Sequence, residues 1–199
     1  MPTGIALHDA REQLFQAAER ALLRGGPSAL TSRAVTAEAG CAKGVLHRHF
    51  DDFDEFLAEL VTNRVVRLRA QAGQLLAAAG TGTVTENLAV ALTELFEPVA
   101  VAIVALVISR DGLRARLRRS GLGGVPLLSG AVNMIASYLR AEQELGRVDK
   151  GADVATLAPT MVGATHLLFA NREAAHPEPD DVRRVVAAVV AQALPAPAQ

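Results

Sequence analysis

Residues 31–56, TSRAVTAEAGCAKGVLHRHFDDFDEF, bring hydroxyl, basic and imidazole side chains together at close spacing. The pattern predicts two short helices around a glycine turn, followed by the capped start of a third helix. The second short helix, 42–48, would expose Lys43, His47 and Arg48. Units that bind DNA through a helix-turn-helix have this form, because the second helix enters the major groove while its neighbours contact phosphates. The segment therefore predicts a DNA-binding site.

Two kinds of DNA contact are expected from this segment. Side chains placed to contact phosphates are Thr31, Lys43, His47 and His49, with amide groups at helix N-termini as further donors. Side chains placed to reach base edges are Arg33, Lys43 and Arg48, since Arg and Lys pair well with guanine. The complete predicted contact set is Thr31, Ser32, Arg33, Ala42, Lys43, Gly44, His47, Arg48 and His49.

Glycine and apolar positions explain how the short helices would be held. Gly40 lies where the chain must turn sharply, in a backbone conformation that glycine adopts most easily. Gly44 is expected to allow close packing or close approach to the DNA backbone. Leu46 and Phe50 are expected to anchor the helix 42–48 to the first and fourth helices of the chain.

The charge balance gives no independent support for nucleic-acid binding. The chain has a formal charge of −1, and residues 1–60 hold six Lys/Arg against nine Asp/Glu. DNA binding would therefore depend on where individual basic groups are placed and not on a basic domain.

Composition predicts an all-α protein. Half of the residues are apolar and only 4% are aromatic, so Ala, Leu and Val supply most of the apolar mass and favour helix. Apolar spacing and helix start and stop signals predict about nine helices and no strand. The predicted helices are 7–24, 32–39, 42–48, 52–79, 83–97, 98–109, 126–145, 152–172 and 180–193, with 110–124 as a partly helical loop.

Several features favour a soluble cytoplasmic protein. Cys41 is the single cysteine, which excludes an intrachain disulfide and fits a reducing compartment. No signal-peptide pattern precedes the first helix. The apolar stretch 88–109 is interrupted by Glu94, Glu97 and Pro98, so it predicts a buried helix and no membrane span.

Cys41 itself is expected to fill a small apolar core site, with a redox sensor beside Lys43 as the alternative.

The first third of the chain resembles the tetracycline-repressor (TetR) family of bacterial transcription regulators. The matching positions, at the family's spacing, are Arg11, Leu14, Phe15, Ala17, Ala18, Gly26, Thr31, Val35, Ala39, Gly40, Gly44, Leu46, His49 and Phe50. The resemblance implies a three-helix DNA-binding domain over 1–51 and a helical effector-binding and dimerisation domain over 52–199. It also implies a bacterial protein that associates with the nucleoid when bound to DNA.

Four positions depart from the family pattern. Ala42 stands where the family usually has Ser, and His47 replaces the usual Tyr. Asp51 and Phe53 occupy a corner that commonly carries Lys. Two or three phosphate contacts of the family would therefore be missing from this chain.

The last two predicted helices carry broad apolar faces that predict burial against a second copy of the chain. A two-fold dimer would place two recognition helices on adjacent turns of a palindromic operator. The predicted dimer interface is Leu157, Met161, Leu168, Val182, Val186 and Val189. Burial within one chain is the alternative.

The resemblance implies a ligand pocket in the helices between the DNA-binding domain and the dimer interface. The candidate lining is Phe96, Asn133, Met134, Tyr138, Met161, Thr165 and His166, each of which could equally be a core residue. The apolar share of this lining favours an unidentified small, mostly apolar effector. The implied function is a homodimeric regulator, most often a repressor, that the effector releases from its operator.

Other functions have weaker support in the sequence. We find no Gly-rich phosphate loop, metal-ligand spacing or nucleophile motif, so the sequence predicts no enzyme, no catalytic residue, no metal and no cofactor. A helical ligand-binding module with degenerate DNA binding is the main alternative. The five arginines between Arg110 and Arg119 are expected to form a solvated loop, with phosphate steering or an anionic effector as alternatives.

Overall fold

The fold was analysed on a computed structural model of the chain, which describes residues 4–42, 44–170 and 177–194. Within these ranges the chain is all-helical and contains no strand. The helices are α1 (Gly4–Ala29), α2 (Ser32–Glu38), α3 (Gly44–His49), α4 (Phe53–Ala77), α5 (Val84–Leu95), α6 (Pro98–Ser109), α7 (Asp111–Arg119), α8 (Pro126–Glu144), α9 (Val154–Ala170) and α10 (Pro179–Val190). The nine predicted helices are found, and α7 is a tenth in the stretch predicted as a partly helical loop.

Local signals in the sequence set most helix ends. Gly26, with φ of +70°, breaks α1 near its end, as the Gly-Gly-Pro run predicts. Thr31 Oγ1 accepts a hydrogen bond from the Ala34 amide at 3.1 Å and starts α2. Thr83 caps α5 in the same way, but the Glu86 carboxylate binds Arg183 of α10 and so does not complete a capping box. Gly40, with φ of +66°, makes the turn between α2 and α3.

The chain divides into two compact units. Unit 1 is Met1–Arg64 with Pro98–Pro126, and unit 2 is Val65–Glu97 with Leu127–Gln199. Unit 1 therefore contains α6 and α7 in addition to the helix-turn-helix. These compact units do not test the boundary predicted at residue 51, which separates a DNA-binding domain from an effector-binding domain by function. That boundary stays a prediction.

Unit 1 has an aromatic core beneath α3. The ring centroid of Phe50 lies 5.9 Å from that of Phe15 on α1 and 5.0 Å from that of Phe56 on α4. The predicted anchoring of Phe50 to the first and fourth helices is thus confirmed, and Leu46 is fully buried as an anchor requires. On the same helices, Arg64 Nε donates to Glu19 Oε1 at 2.8 Å, with both side chains largely buried.

Unit 2 contains α5, α8, α9 and α10, together with the second half of α4. A close approach joins α8 to α4, because a Cβ atom at Gly130 would lie 2.5 Å from Leu68 Cδ2. Tyr138 on α8 is fully buried, and its hydroxyl accepts a hydrogen bond from Asn87 Nδ2 at 2.9 Å. Burial and the neighbouring Glu142 carboxylate raise the pKa of this hydroxyl above its usual value.

The apolar stretch predicted to be a buried helix is two helices, α5 and α6, separated by a short break. No single helix in the described ranges is long and apolar enough to cross a membrane; only these two taken together reach that length. Both bury apolar side chains inside the protein, among them Leu88, Leu92 and Ile103.

Cys41 differs from its predicted environment. Its side chain is half-buried and does not fill a core site. Its amide donates to the Thr36 carbonyl at 3.0 Å, which places the residue in the turn after α2, on the way to α3.

Candidate nucleic-acid interface

The start of α2 supplies the first part of the predicted DNA-binding surface. Thr31 and Arg33 are exposed, as a contact with DNA requires. Ser32 is placed differently, because its hydroxyl oxygen is shielded from solvent and has no hydrogen-bond partner within the described chain. Ser32 would have to change rotamer before it could contact a phosphate.

The exposed face of α3 supplies the second part. Leu46 and the following Phe50 point into the core, which turns His47 and Arg48 outward to solvent. Among the described residues, neither side chain makes a hydrogen bond or ion pair. Arg33, one helix earlier, is also exposed without such a partner. These side chains can bind a phosphate or a base edge without first breaking a contact inside the protein.

The remaining predicted contacts fall into different settings. Ala42 and Gly44 are exposed, and a Cβ atom at Gly44 would meet nothing within 4 Å, so close packing inside the chain is not what requires this glycine. His49 is half-buried, with its ring against Phe50 at 6.4 Å, and is less available to DNA than predicted. Lys43 lies outside the described residues.

Arg11 on α1 holds the end of α3 from inside unit 1. One guanidinium nitrogen donates to the His49 carbonyl at 3.2 Å, and the guanidinium carbon lies 4.5 Å from the centre of the Phe50 ring. Another nitrogen forms an ion pair with Glu59 on α4. The match of Arg11 to the family pattern therefore has a structural explanation.

At the corner between α3 and α4, Asp51 and Asp52 are exposed, and Phe53 packs against the protein. The Phe53 ring stacks on Phe56 at 5.7 Å and lies 5.5 Å from the Arg110 guanidinium carbon. Phe53 is therefore part of an intrachain contact, whereas the family commonly has a basic residue for DNA at this corner.

The arginine cluster predicted as a solvated loop is largely paired inside unit 1. Arg110 Nη2 donates to the Leu30 carbonyl at 2.7 Å, and Arg116 Nη2 donates to Asp52 Oδ2 at 2.6 Å. Arg114 donates to the Val107 carbonyl at 3.3 Å and to that of Ile108, near the end of α6. Only Arg118 and Arg119 at the end of α7 are exposed as predicted. Sequence analysis missed the roles of Arg110 and Arg116 because their partners lie 80 and 64 residues away along the chain.

Most of the predicted pocket residues lie in the core of unit 2. Phe96, Met134, Met161 and Thr165 are buried, whereas Asn133 is exposed. The Thr165 hydroxyl is buried with no hydrogen-bond partner in the described part of the chain.

His166, next to Thr165, is half-buried with its ring 5.6 Å from that of Phe96, and burial lowers the pKa of its imidazole. Tyr138 has its hydroxyl engaged by Asn87.

An open cleft in unit 2 is lined by other residues. It has a volume of about 250 Å³ between α4 and α5, and its walls include Gln71, Gln74, Asn87, Val90 and Glu94. The predicted lining and this cleft are therefore separate places, and the ligand site stays a prediction.

The predicted dimer residues divide by burial. Met161, Val182 and Val186 have no exposed surface in the single chain, so they stabilise unit 2 and cannot offer area to a second copy. Leu157, Leu168 and Val189 are partly exposed. The apolar stripe found in the sequence is thus mainly an intrachain core, and any interface must use the outer sides of α9 and α10.

Comparison with known protein families finds a match in the first third of the chain. Residues 14–60 match the family model described as "Bacterial regulatory proteins, tetR family". The match spans the helix-turn-helix described above and the aromatic core beneath it. Comparison with curated protein sequences finds no match.

Solved structures share the fold over nearly the whole chain. The reduced form of E. coli NemR is 16% identical with a TM-score of 0.73, over 96% of this chain and 100% of its own. Bacillus subtilis FadR in complex with stearoyl-CoA is 16% identical with a TM-score of 0.70, over 90% and 97%. SmeT, the repressor of a Stenotrophomonas maltophilia multidrug efflux pump, is 18% identical with a TM-score of 0.66, over 94% and 91%. The match over residues 14–60 identifies the helix-turn-helix as one of the TetR family, and the chain as a whole has the fold of these solved structures.

Proposed function

We propose that this protein is a homodimeric repressor that binds a palindromic operator through α3 and leaves it when a small, mostly apolar effector binds. TetR-family proteins are DNA-binding transcriptional regulators and not enzymes. The observation that carries the proposal is the exposed, unpaired state of Arg33, His47 and Arg48 in the described chain, above the buried anchors of α3. The double-stranded operator, a second copy and the effector are its partners, and its place is the cytoplasm at the nucleoid.

Operator selection tests the DNA-binding part. Fragments of the source genome bound by the protein should share a palindrome, and log K should fall linearly as log salt rises, because phosphate contacts release counterions. Weak retention of all fragments alike would contradict operator binding and favour the ligand-binding module with degenerate DNA binding.

The outer face of α9 and α10 is the proposed dimer interface. A groove of about 520 Å³ runs between the two helices, with Thr156 and Leu157 on one side and Ala188 and Val189 on the other. Leu167 on α9 is 72% exposed, an unusual state for a large apolar side chain. We assign Leu157, Leu168 and Val189 to the edge of this interface.

A charge substitution tests the interface. Leu167→Glu should convert a dimer to a monomer in sedimentation measurements, because a carboxylate would be buried without a partner. Leu145→Glu is the matched control, since Leu145 is 55% exposed at the end of α8. Equal behaviour of the two variants would place the interface elsewhere.

The effector site is assigned to the core of unit 2 around Phe96, Met134, Met161 and Thr165. Its support is an apolar environment with one buried hydroxyl that lacks a partner in the described chain. FadR of the same fold carries stearoyl-CoA, which shows that such a fold can take a long apolar chain.

Thr165→Val keeps the side-chain shape and removes the hydroxyl. The test uses a long-chain acyl compound that releases the wild-type protein from its operator. If the Thr165 hydroxyl binds this compound, the variant should keep operator affinity but need a higher concentration of the compound for release. An unchanged release curve would exclude Thr165 from the site.

A further inference from the structure

We propose that Arg110 and Arg116, called here the arginine pair, are positioning residues that hold the two ends of the helix-turn-helix and so set the orientation of α3. The inference rests on the proposed DNA-binding function but concerns residues outside the DNA-contacting surface. All contacts that support it lie within unit 1.

Arg110 holds the entry to the helix-turn-helix. Its Nη2 donates to the Leu30 carbonyl at 2.7 Å, and the next residue, Thr31, is the N-cap of α2. A hydrogen bond from a charged donor is stronger than a neutral one. The same guanidinium lies over the Phe53 ring at 5.5 Å and 3.9 Å from Asp54 Oδ1, so one side chain joins the start of α2 to the first turn of α4.

Arg116 holds the exit. Its Nη2 donates to Asp52 Oδ2 at 2.6 Å, while Asp52 Oδ1 accepts from the Glu55 amide at 2.7 Å and caps α4. Asp52 stands three residues after His49, where α3 ends. The carboxylate therefore fixes the start of α4 and connects the end of α3 to α7.

The two contacts come from one short stretch of backbone. Arg110 is the residue before α7 and Arg116 lies inside it, and Arg114 joins the same stretch to the end of α6. Between them, a Cβ atom at Gly112 would lie 3.0 Å from Asp54 Oδ2, so α7 approaches α4 closely. Since α3 has only six residues, its orientation depends on how its two ends are held as well as on the buried anchors Leu46 and Phe50.

Hydrogen exchange of the free protein tests the pair without DNA. Arg110→Ala and Arg116→Ala should each speed amide exchange across residues 31–50, because opening of this segment becomes less costly. Arg118→Ala and Arg119→Ala are matched controls from the same helix, exposed and without a described partner. Unchanged exchange in 31–50, or an equal change in the controls, would overturn the proposal.

Titration with operator and with unrelated DNA then separates positioning from a phosphate contact and from general destabilisation. Operator affinity should fall about tenfold or more, a change large enough to separate from the controls. Affinity for unrelated DNA and the salt slope should stay at wild-type values. A slope smaller by about 0.9 would reveal a lost phosphate contact and overturn the proposal. An equal loss of affinity for operator and for unrelated DNA would also overturn the proposal, since it indicates that less of the variant is folded.

Lysine substitutions give a second readout if an alanine variant fails to fold. Arg116→Lys should regain most of the operator affinity, because one charged donor suffices for Asp52. Arg110→Lys should not, because an ammonium group cannot donate to Leu30 and also stack on Phe53. Equal rescue at both sites would overturn the assignment to Arg110. If the wild-type protein selects no operator, the proposed function fails, and the exchange experiment still decides whether the pair holds residues 31–50.

Discussion

The α2–α3 surface and α7 are the two basic regions of unit 1, and they differ in what their cations contact. Arg33 and Arg48 are exposed and make no ion pair in the described chain. Arg110 and Arg116 each have an acceptor on a neighbouring element, at 2.7 and 2.6 Å. The denser basic cluster thus has its first three arginines engaged within the chain, and only Arg118 and Arg119 are left exposed, whereas Arg33 and Arg48 are both free to meet an anion. We therefore expect binding to depend on which basic side chains are unpaired and not on how many basic residues a segment holds.

The largest effect on stability should come from the most buried paired cation. Glu19→Ala removes the carboxylate that Arg64 contacts at 2.8 Å, and should lower the free energy of unfolding by about 1.5–3 kcal/mol, since a hydrogen bond to a largely buried charged group is lost. Urea denaturation measures it. Glu144→Ala, at an exposed site on α8, should change stability by less than about 0.5 kcal/mol. Equal changes in unfolding free energy for Glu19→Ala and Glu144→Ala would contradict the view that a paired charge contributes more to stability than a free one.

The free cations should behave in the opposite way. Arg48→Ala should weaken operator binding by about 1–3 kcal/mol if the side chain pairs with a base. Its urea midpoint should equal that of the wild type, because no described intrachain contact is lost. Operator titration gives the affinity, with Arg118→Ala as control. Wild-type affinity in the variant would remove Arg48 from the recognition surface.

A pair of hydroxyl deletions extends the comparison to unit 2. Tyr138→Phe removes a buried hydroxyl that Asn87 contacts at 2.9 Å and should cost about 1 kcal/mol of unfolding free energy. Thr165→Val removes a buried hydroxyl without a described partner and should be neutral or stabilising. Both values come from urea curves. A larger loss of unfolding free energy in Thr165→Val than in Tyr138→Phe would show that hydrogen-bond pairing does not decide how much a buried hydroxyl stabilises the protein.

The smallest effect should come from an exposed pair and should depend on pH. Hydrogen bonds from Arg20 and Arg24 lower the pKa of Glu38 below the ordinary value of a glutamate carboxyl. A depressed folded-state pKa means that this contribution is present above about pH 4.5 and is lost as pH falls through the folded-state value. Glu38→Gln should therefore melt slightly below wild type at pH 7, and the difference in Tm should vanish in acid. A difference that persists at low pH would point to packing.

Local signals made much of unit 1 predictable from the sequence. Thr31, Gly40 and Asp52 act on the backbone within a few residues of themselves, so their roles can be recognised without knowing the fold. The burial of Leu46 and Phe50 follows from helical spacing, and leaves His47 and Arg48 outside.

Partners that are distant along the chain were not predictable. Arg116 and Asp52 are 64 residues apart, and no periodic pattern joins them. The dimer interface shows the same limit, because spacing finds an apolar stripe but not what covers it. Met161, Val182 and Val186 are covered within the single chain. Exposure of Leu167 becomes visible only once α9 has been placed.

The contrast between Gly130 and Gly44 has a consequence for deep mutational scanning. At Gly130 any other residue would require the buried Leu68 side chain to move, so a library selected only for folded protein should be depleted at this position. At Gly44 there is open space and no backbone strain, so the same library should accept many residues. Selection for transcriptional repression would deplete Gly44 only if DNA approaches it closely. These two positions would thus let one library report folding and operator recognition as separate fitness effects.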